Sequence, residues 1–482
     1  MKSTANGLKW SAIERLSTHA IQLVVMLYLA RLLGPGAFGL MGILAVFIAI
    51  GQTLVNSGFS SALIRETKRT ESDFSTTFYF NIGVGVACYS ILFFIAPYIA
   101  IFFEQPLLTQ LLRVLGITVI LNSLAIVQQA KLTIMMDFKT QAKASLISVL
   151  ISSCFAIWLA NLNYGVWVLV WQALVYSACN SLILIFLCKW LPTTGFSKQS
   201  FNYLFGFGSK LLAAALLNTV FVNIYQVIIG KQFNSSQVGL FTQANQLANV
   251  PAITLTTVIQ RVTYPMLSNI QNDTNKFEST YLLTLRFAGA VVFPLMIGLS
   301  LIATPLITVA LGEQWLASAP LLSILCFAFI LYPIHAINLN LLNVKGRSDI
   351  FLKLEIIKKS LIVLMLFITI PLGIKAMCIG MVGNSFIAFF INSFYTGKFS
   401  QLNTKKQLKA LLPLFIGAFL CAVITCGITL FLSNIMMLGA YIQLFISLTF
   451  MPLLYGMFIR FLQPDLYLQF KMALCSENKI SQ

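Results

Sequence analysis

Residues 30–40 read Ala-Arg-Leu-Leu-Gly-Pro-Gly-Ala-Phe-Gly-Leu, and residues 230–240 read Gly-Lys-Gln-Phe-Asn-Ser-Ser-Gln-Val-Gly-Leu. In both, a basic residue (Arg31, Lys231) is followed eight positions later by Gly-Leu, at an offset of 200. Each stretch lies between two long apolar runs, 8–33 and 38–63 in the first case, 204–230 and 238–267 in the second. A bilayer is crossed by about 20 largely apolar residues. Each stretch is therefore expected to close a short hairpin between two membrane helices. A weaker echo pairs Tyr164-Gly165-Val166 with Leu372-Gly373-Ile374.

Extending outward from these hairpins, further apolar runs cover 76–103, 109–135, 141–160, 164–190, 278–305, 317–343, 350–370, 375–396, 409–432 and 437–460. With the four above, about fourteen spans are expected, and Pro251 and Pro294 inside runs could be kinks or breaks. The composition agrees. Apolar residues make up 59% of the 482, charged residues 9%, and mean hydropathy is +0.89. That leaves too little polar surface to coat a soluble particle, for which about a quarter of residues are charged. No alternating ten-residue strands occur, so the fold class is all-α, a polytopic helical bundle. The repeat divides it into two pseudo-symmetric six-helix lobes, 1–195 and 196–400. Residues 401–482 add two further helices and a tail. Both halves start on the same side, so the repeat is parallel, about an axis along the membrane normal.

Placing the N-terminus inside makes every inner loop basic and every outer loop nearly neutral, with both termini cytoplasmic. Topology and anionic lipid then account for most of the net charge of +18, which does not signal nucleic acid. The nine cysteines show no C-x-x-C and no histidine partner at metal spacing, so small buried residues are expected, with no metal or cofactor. Glu71-Ser72-Asp73 could be read as a metal-bound sugar-donor motif, but beside Arg65, Lys68 and Arg69 a solvated charged loop is expected. No nucleotide loop or catalytic triad emerges, so the chain is not expected to be an enzyme.

Polar residues at membrane depth usually face a cavity or a partner. The first span carries Ser11, Arg15, Thr18, His19 and Gln22 on one helical face, with Glu14 as a candidate coupling acid. The second carries Gln52, Asn56 and Ser60, and the seventh Lys210, Thr219, Asn223 and Gln226. The eighth is the most polar, with Thr242, Asn245, Gln246, Asn249, Thr256, Gln260 and Arg261. Arg15, Lys210 and Arg261, supported by Lys131 of span four, make the deep charge positive, which focuses anions and suits phosphate. The amides suit hydroxyl-rich sugars. The alternative for each amide is interhelical hydrogen bonding.

At Ala30-Arg31-Leu32-Leu33-Gly34-Pro35, Phe38-Gly39-Leu40, Ile229-Gly230-Lys231, Gly239-Leu240-Phe241, Ala244, Pro251 and Tyr264-Pro265, the chain resembles the polysaccharide-exporter branch of the MOP flippase superfamily. The members it resembles are Wzx-type flippases akin to colanic acid exporters. The resemblance implies two lobes, fourteen helices and a central cationic cavity in a bacterial inner membrane. It implies flipping of undecaprenyl-pyrophosphate-linked oligosaccharide from the cytoplasmic to the periplasmic leaflet by alternating access, for O-antigen, capsule or exopolysaccharide. A polymerase and chain-length machinery would then be the protein partners. Relatives often carry an acid where Gly36 and Ala37 stand, and an aspartate where Tyr225 stands. A MATE-type cation-coupled drug antiporter is the alternative transporter, and would need Glu14. A membrane enzyme acting on the same lipid-linked glycan is the alternative outside transport.

Overall fold

The computed structural model describes residues 2–469 except 57, 67, 272, 437 and 438. Side chains are described from Ser17 onward, excluding those of His19, Phe207, Tyr264, Thr274, Ser348 and Met436. The described residues form α-helices and two short 3-10 turns, with no strand. In order these are α1 (Lys2–Asn56), α2 (Phe59–Arg65), α3 (Glu71–Phe102), α4 (Leu107–Ile134), α5 (Phe138–Asn161), α6 (Trp167–Cys188), α7 (Lys198–Gln232) and α8 (Ser235–Asn269). There follow α9 (Thr274–Leu301), α10 (Ala303–Ala310), α11 (Ala319–Phe329), α12 (Tyr332–Val344), α13 (Ser348–Thr369), α14 (Ile374–Phe399), α15 (Thr404–Met436) and α16 (Ala440–Leu462). Fully exposed apolar side chains such as Phe94 (71%), Ile101 (73%) and Phe186 (74%) could not face water in such numbers and mark a lipid-facing surface.

Among the described residues, eleven helical stretches are long and apolar enough to cross a membrane, so the expected fourteen are not reached by that measure. One reason is Ala20–Arg65, a single stretch of 46 residues. At 1.5 Å per residue it is about 69 Å of helix, over twice the roughly 30 Å hydrocarbon core. It bends at Gly34, whose φ of 71° and ψ of 177° interrupt α1. The other reason is polarity. α8 is diluted by its amides, and α13 carries Lys353, Glu355, Lys358 and Lys359 within its first twelve residues. Pro251 and Pro294 do not end their helices, since α8 and α9 run through them.

The chain forms two compact units, Met1–Thr242 and Gln243–Gln482, with the boundary inside α8. In the first unit α3 packs on α4, α5 on α6, and α1 on α5. Close approach depends on small residues: a Cβ on Gly85 of α3 would meet Ser123 Oγ of α4 at 2.8 Å. Glu71-Ser72-Asp73 is not a loop but the first turn of α3. Thr70 caps it, accepting from the Asp73 amide (3.3 Å) while the Asp73 carboxylate accepts from the Thr70 amide (2.9 Å). Cys88, Cys326 and Cys421 are buried as expected, whereas Cys154 is exposed on α5.

In the second unit α9 packs on α15, and α14 on both α11 and α13. Its polar centre is Asn338 of α12, which is fully buried. Tyr281 Oη (2.9 Å) and Thr396 Oγ1 (2.7 Å) donate to its carbonyl oxygen, and it exchanges amide hydrogen bonds with Gln407 at 3.1 Å. Four helices thus share one amide. Replacing Asn338 by Leu takes the acceptor from the buried Tyr281 hydroxyl and leaves the buried Gln407 amide only its bond to the Leu402 carbonyl. We expect a loss of roughly 2–4 kcal/mol, read as a lower thermal unfolding temperature in detergent.

Candidate functional site

The two hairpins read from sequence meet within the first unit. The first turns at Gly34, where positive φ excludes most side chains. The second turns at Asn234, whose Oδ1 accepts from the Gln237 amide (2.9 Å) and so caps the start of α8. Beyond these turns Gly39 and Gly239 cross backbone to backbone. A Cβ on Gly39 would lie 1.6 Å from the Ser235 carbonyl oxygen, and one on Gly239 would lie 2.0 Å from that of Pro35. Each added Cβ would also sit 3.0 Å from the other glycine's nitrogen. Exchanging each number with its partner 200 positions away returns the same contact, which is the signature of a local two-fold axis.

Around this crossing the hairpins are latched. Phe103 and Ile43 pack on Gly230, and Lys231 Nζ bonds Glu104 at 3.0 Å while lying 5.2 Å from the Phe102 ring. Farther along, Thr53 and Thr219 share a hydrogen bond at 3.0 Å. At the other end Gly58 (φ 70°) lies against Gly208, and Phe59 stacks on Phe80 at 4.5 Å with Phe201 and Phe205 nearby. α7 therefore follows the 38–65 run along its whole length.

The expected site residues distribute as follows. Arg15, Glu14 and His19 lie in α1, but their side chains are outside the described residues. Gln22 and Asn56 are exposed, and Gln52 Nε2 donates to the Thr118 carbonyl at 3.5 Å. On α7, Asn223 Nδ2 donates to the Thr219 carbonyl at 2.7 Å, and Gln226 Oε1 is buried without a partner. The polar stripes of the second and seventh spans thus converge at Thr53 and Thr219. Sequence reading named Thr219 but passed over Thr53, beside Gln52.

In the second unit, Asn245 and Asn249 of α8 have buried carbonyl oxygens without partners, Gln246 is exposed and Gln260 half-buried. Buried amide oxygens left unpaired are costly unless a ligand or water meets them. Lys210 in the first unit and Arg261 in the second are exposed, and neither enters an ion pair among the described residues. Both are thus available to an anion. Lys131 is different. Its ammonium lies 5.5 Å from the Phe74 ring and 5.3 Å from the Trp190 ring, and the Trp190 indole N–H donates to Glu71. The rings hold it as a cation–π clamp between α3, α4 and the chain after α6. His335 is half-buried, between Ser385 and Asn392 at 3.3 Å each. Among the described residues no group of three His, Cys, Asp or Glu side chains comes together as a metal site.

Residues 28–320 match the family model for polysaccharide biosynthesis proteins. The chain is 26% identical over 351 residues to the teichuronic acid biosynthesis protein TuaB of Bacillus subtilis, covering 72% of this chain and 73% of that one. It is 24% identical over 368 residues to the lipopolysaccharide biosynthesis protein WzxC of Escherichia coli, covering 75% and 74%. In fold it is similar to the lipid II flippase MurJ in an inward closed conformation. The TM-score is 0.72 at 13% identity, over 94% of this chain and 99% of MurJ.

Proposed function

The chain belongs to the polysaccharide biosynthesis protein family, and from that premise we propose that it is a Wzx-type flippase of the bacterial inner membrane. It moves undecaprenyl-pyrophosphate-linked oligosaccharide repeat units from the cytoplasmic to the periplasmic leaflet, for export as O-antigen, capsule or exopolysaccharide. The family match across residues 28–320 is the observation that carries this reading.

The physical task is to bring a charged, hydroxyl-rich head across hydrocarbon while its lipid tail stays there. An anionic head needs cations, and a sugar needs amides to replace water. In this reading Arg15, Lys210 and Arg261 take the pyrophosphate. Gln22, Gln52, Asn56, Asn223, Gln226, Asn245, Gln246, Asn249 and Gln260, with His19, line the sugar path. Lys131 holds the helices around them through its aromatic clamp. The halves 1–195 and 196–400 alternate between inward and outward access, and the Gly39–Gly239 crossing is the contact that closes one end. Both termini are cytoplasmic, and a polymerase consumes the product outside.

The test is deletion of the gene in its own host. Lipid-linked repeat units should accumulate on the cytoplasmic face and surface glycan should disappear, both restored by a plasmid copy. Normal surface glycan in the deletion strain would refute the reading.

A further inference from the structure

In the first unit a groove of about 320 Å³ lies between α1, the last turns of α3, and α7. That is the low end of the roughly 300–1,000 Å³ usual for a ligand site. Buried Ile99 and Phe103 form its floor, half-buried Phe47 and Val227 its walls, and Tyr98 (71% exposed) and Phe102 its rim. The Phe103 ring stands edge-on to Phe47 at 6.2 Å and to Phe102 at 4.9 Å. The Tyr98 hydroxyl is the one polar side-chain group in the lining. The lining belongs to three helical stretches long and apolar enough to cross a membrane, except Phe103, which directly follows one of them. A groove with such walls on a lipid-facing surface takes up hydrocarbon rather than water.

One end of the groove carries a cation. Lys231 is the last residue but one of α7, and its ammonium lies 5.2 Å from the ring of Phe102 on the groove's rim. It donates to Glu104, in the turn after α3, at 3.0 Å. An ammonium has three donors, and the Lys231 side chain, 36% exposed, keeps room for a second acceptor. Glu104 is more exposed still, and ion pairs between exposed groups are weak, so a stronger anion can displace it. One cation above one apolar groove fits an amphiphile with one anionic head and one chain, whereas a phospholipid brings two chains. The head competes with a carboxylate, and a diphosphate brings more negative charge to that contest than a phosphodiester. Four of the lining residues are rings, whose flat faces suit the flat alkene units of a prenyl chain.

We propose that Lys231 and this groove form a binding site for a polyprenyl diphosphate, with the diphosphate on the Lys231 ammonium and the first prenyl units against Phe47, Ile99, Phe102 and Val227. Glu104 is its internal competitor, holding Lys231 while the site is empty. The site shares no residue with the Arg15, Lys210 and Arg261 set. Its place as a stop for the carrier lipid beside the Gly39–Gly239 crossing rests on the flippase reading; the binding itself does not.

Binding of labelled undecaprenyl pyrophosphate to the full chain in phosphatidylcholine nanodiscs tests it. The chain carries Arg15→Ala, Lys210→Ala and Arg261→Ala, so that binding through those three cations is absent. Lys231→Gln should lose about tenfold or more in affinity, as for one charge-assisted contact, and Lys231→Arg should keep it. Glu104→Gln should gain about two- to fivefold, because it frees Lys231 from a weak exposed pair. Both Lys231→Gln and Glu104→Gln break the same ion pair, so a merely structural latch would move affinity the same way in each, and that result overturns the site. Val227→Trp fills the groove and should cost about tenfold or more, while Val227→Ala should still bind. Full affinity in Val227→Trp, equal competition by phosphatidylglycerol or by inorganic pyrophosphate, or no binding in this background would each overturn the proposal. The flippase reading fails separately: normal surface glycan in the deletion strain refutes it, and the expected binding pattern would still establish the site.

Discussion

Gly239→Ala is expected to cut surface glycan to about a tenth or less while the protein remains in the membrane at wild-type levels. The reason is geometric. The added Cβ would lie 2.0 Å from the Pro35 carbonyl oxygen, where backbone rather than a flexible side chain must move. Gly39→Ala is the symmetric change, with 1.6 Å to the Ser235 oxygen, and should behave alike. Overpacking of this kind costs about 1–3 kcal/mol. Set against a two-state equilibrium, that is roughly a 5- to 150-fold shift away from the closed hairpins. Gly36→Ala is the control: its Cβ would meet Ser236 Oγ at an ordinary 3.5 Å, and export should be unchanged. Full export in both Gly39→Ala and Gly239→Ala would mean that the crossing is not a contact of the transport cycle. Immunoblots of membrane fractions beside glycan staining make the measurement.

Arg261→Ala and Lys210→Ala are expected to abolish export with insertion intact, as is Arg15→Ala. Lys210 and Arg261 are exposed and unpaired among the described residues, so removing either breaks no ion pair there, and protein levels should hold. A charge-assisted contact to phosphate is worth about 1.5–3 kcal/mol, or roughly 10- to 150-fold in affinity for the head group. Lys131→Ala should differ in kind. It empties the space between Phe74 and Trp190, so the loss should appear first in thermal stability and only through that in export. Export at wild-type levels from both Arg261→Ala and Lys210→Ala would remove these residues from the site.

Much of this architecture could be read without coordinates, and what could not be read has physical causes. Hydropathy separates lipid-facing helices from everything else, so the helical membrane class was plain. The same signal weakens where function is densest, and the amides of α8 and the charges of α13 leave those helices outside the eleven apolar spans. The offset of 200 was visible, but that Gly39 and Gly239 touch is a matter of tertiary packing. Thr70 stands three residues before Asp73, a cap spacing present in the sequence and overlooked beside the more conspicuous acid-x-acid pattern. The clamp on Lys131 draws on Phe74 and Trp190, each more than fifty residues away, and no local pattern announces it.

The central claim, that this chain alone carries a lipid-linked oligosaccharide across a bilayer, is tested most directly by reconstitution. Purified protein is placed in liposomes whose inner leaflet holds undecaprenyl-pyrophosphate-linked oligosaccharide, and a lectin or glycosidase added outside reports the sugar that emerges. The account predicts emergence that depends on the protein and is lost in Arg261→Ala. Sugar that stays inside with folded wild-type protein present, or emerges equally with Arg261→Ala, would contradict it.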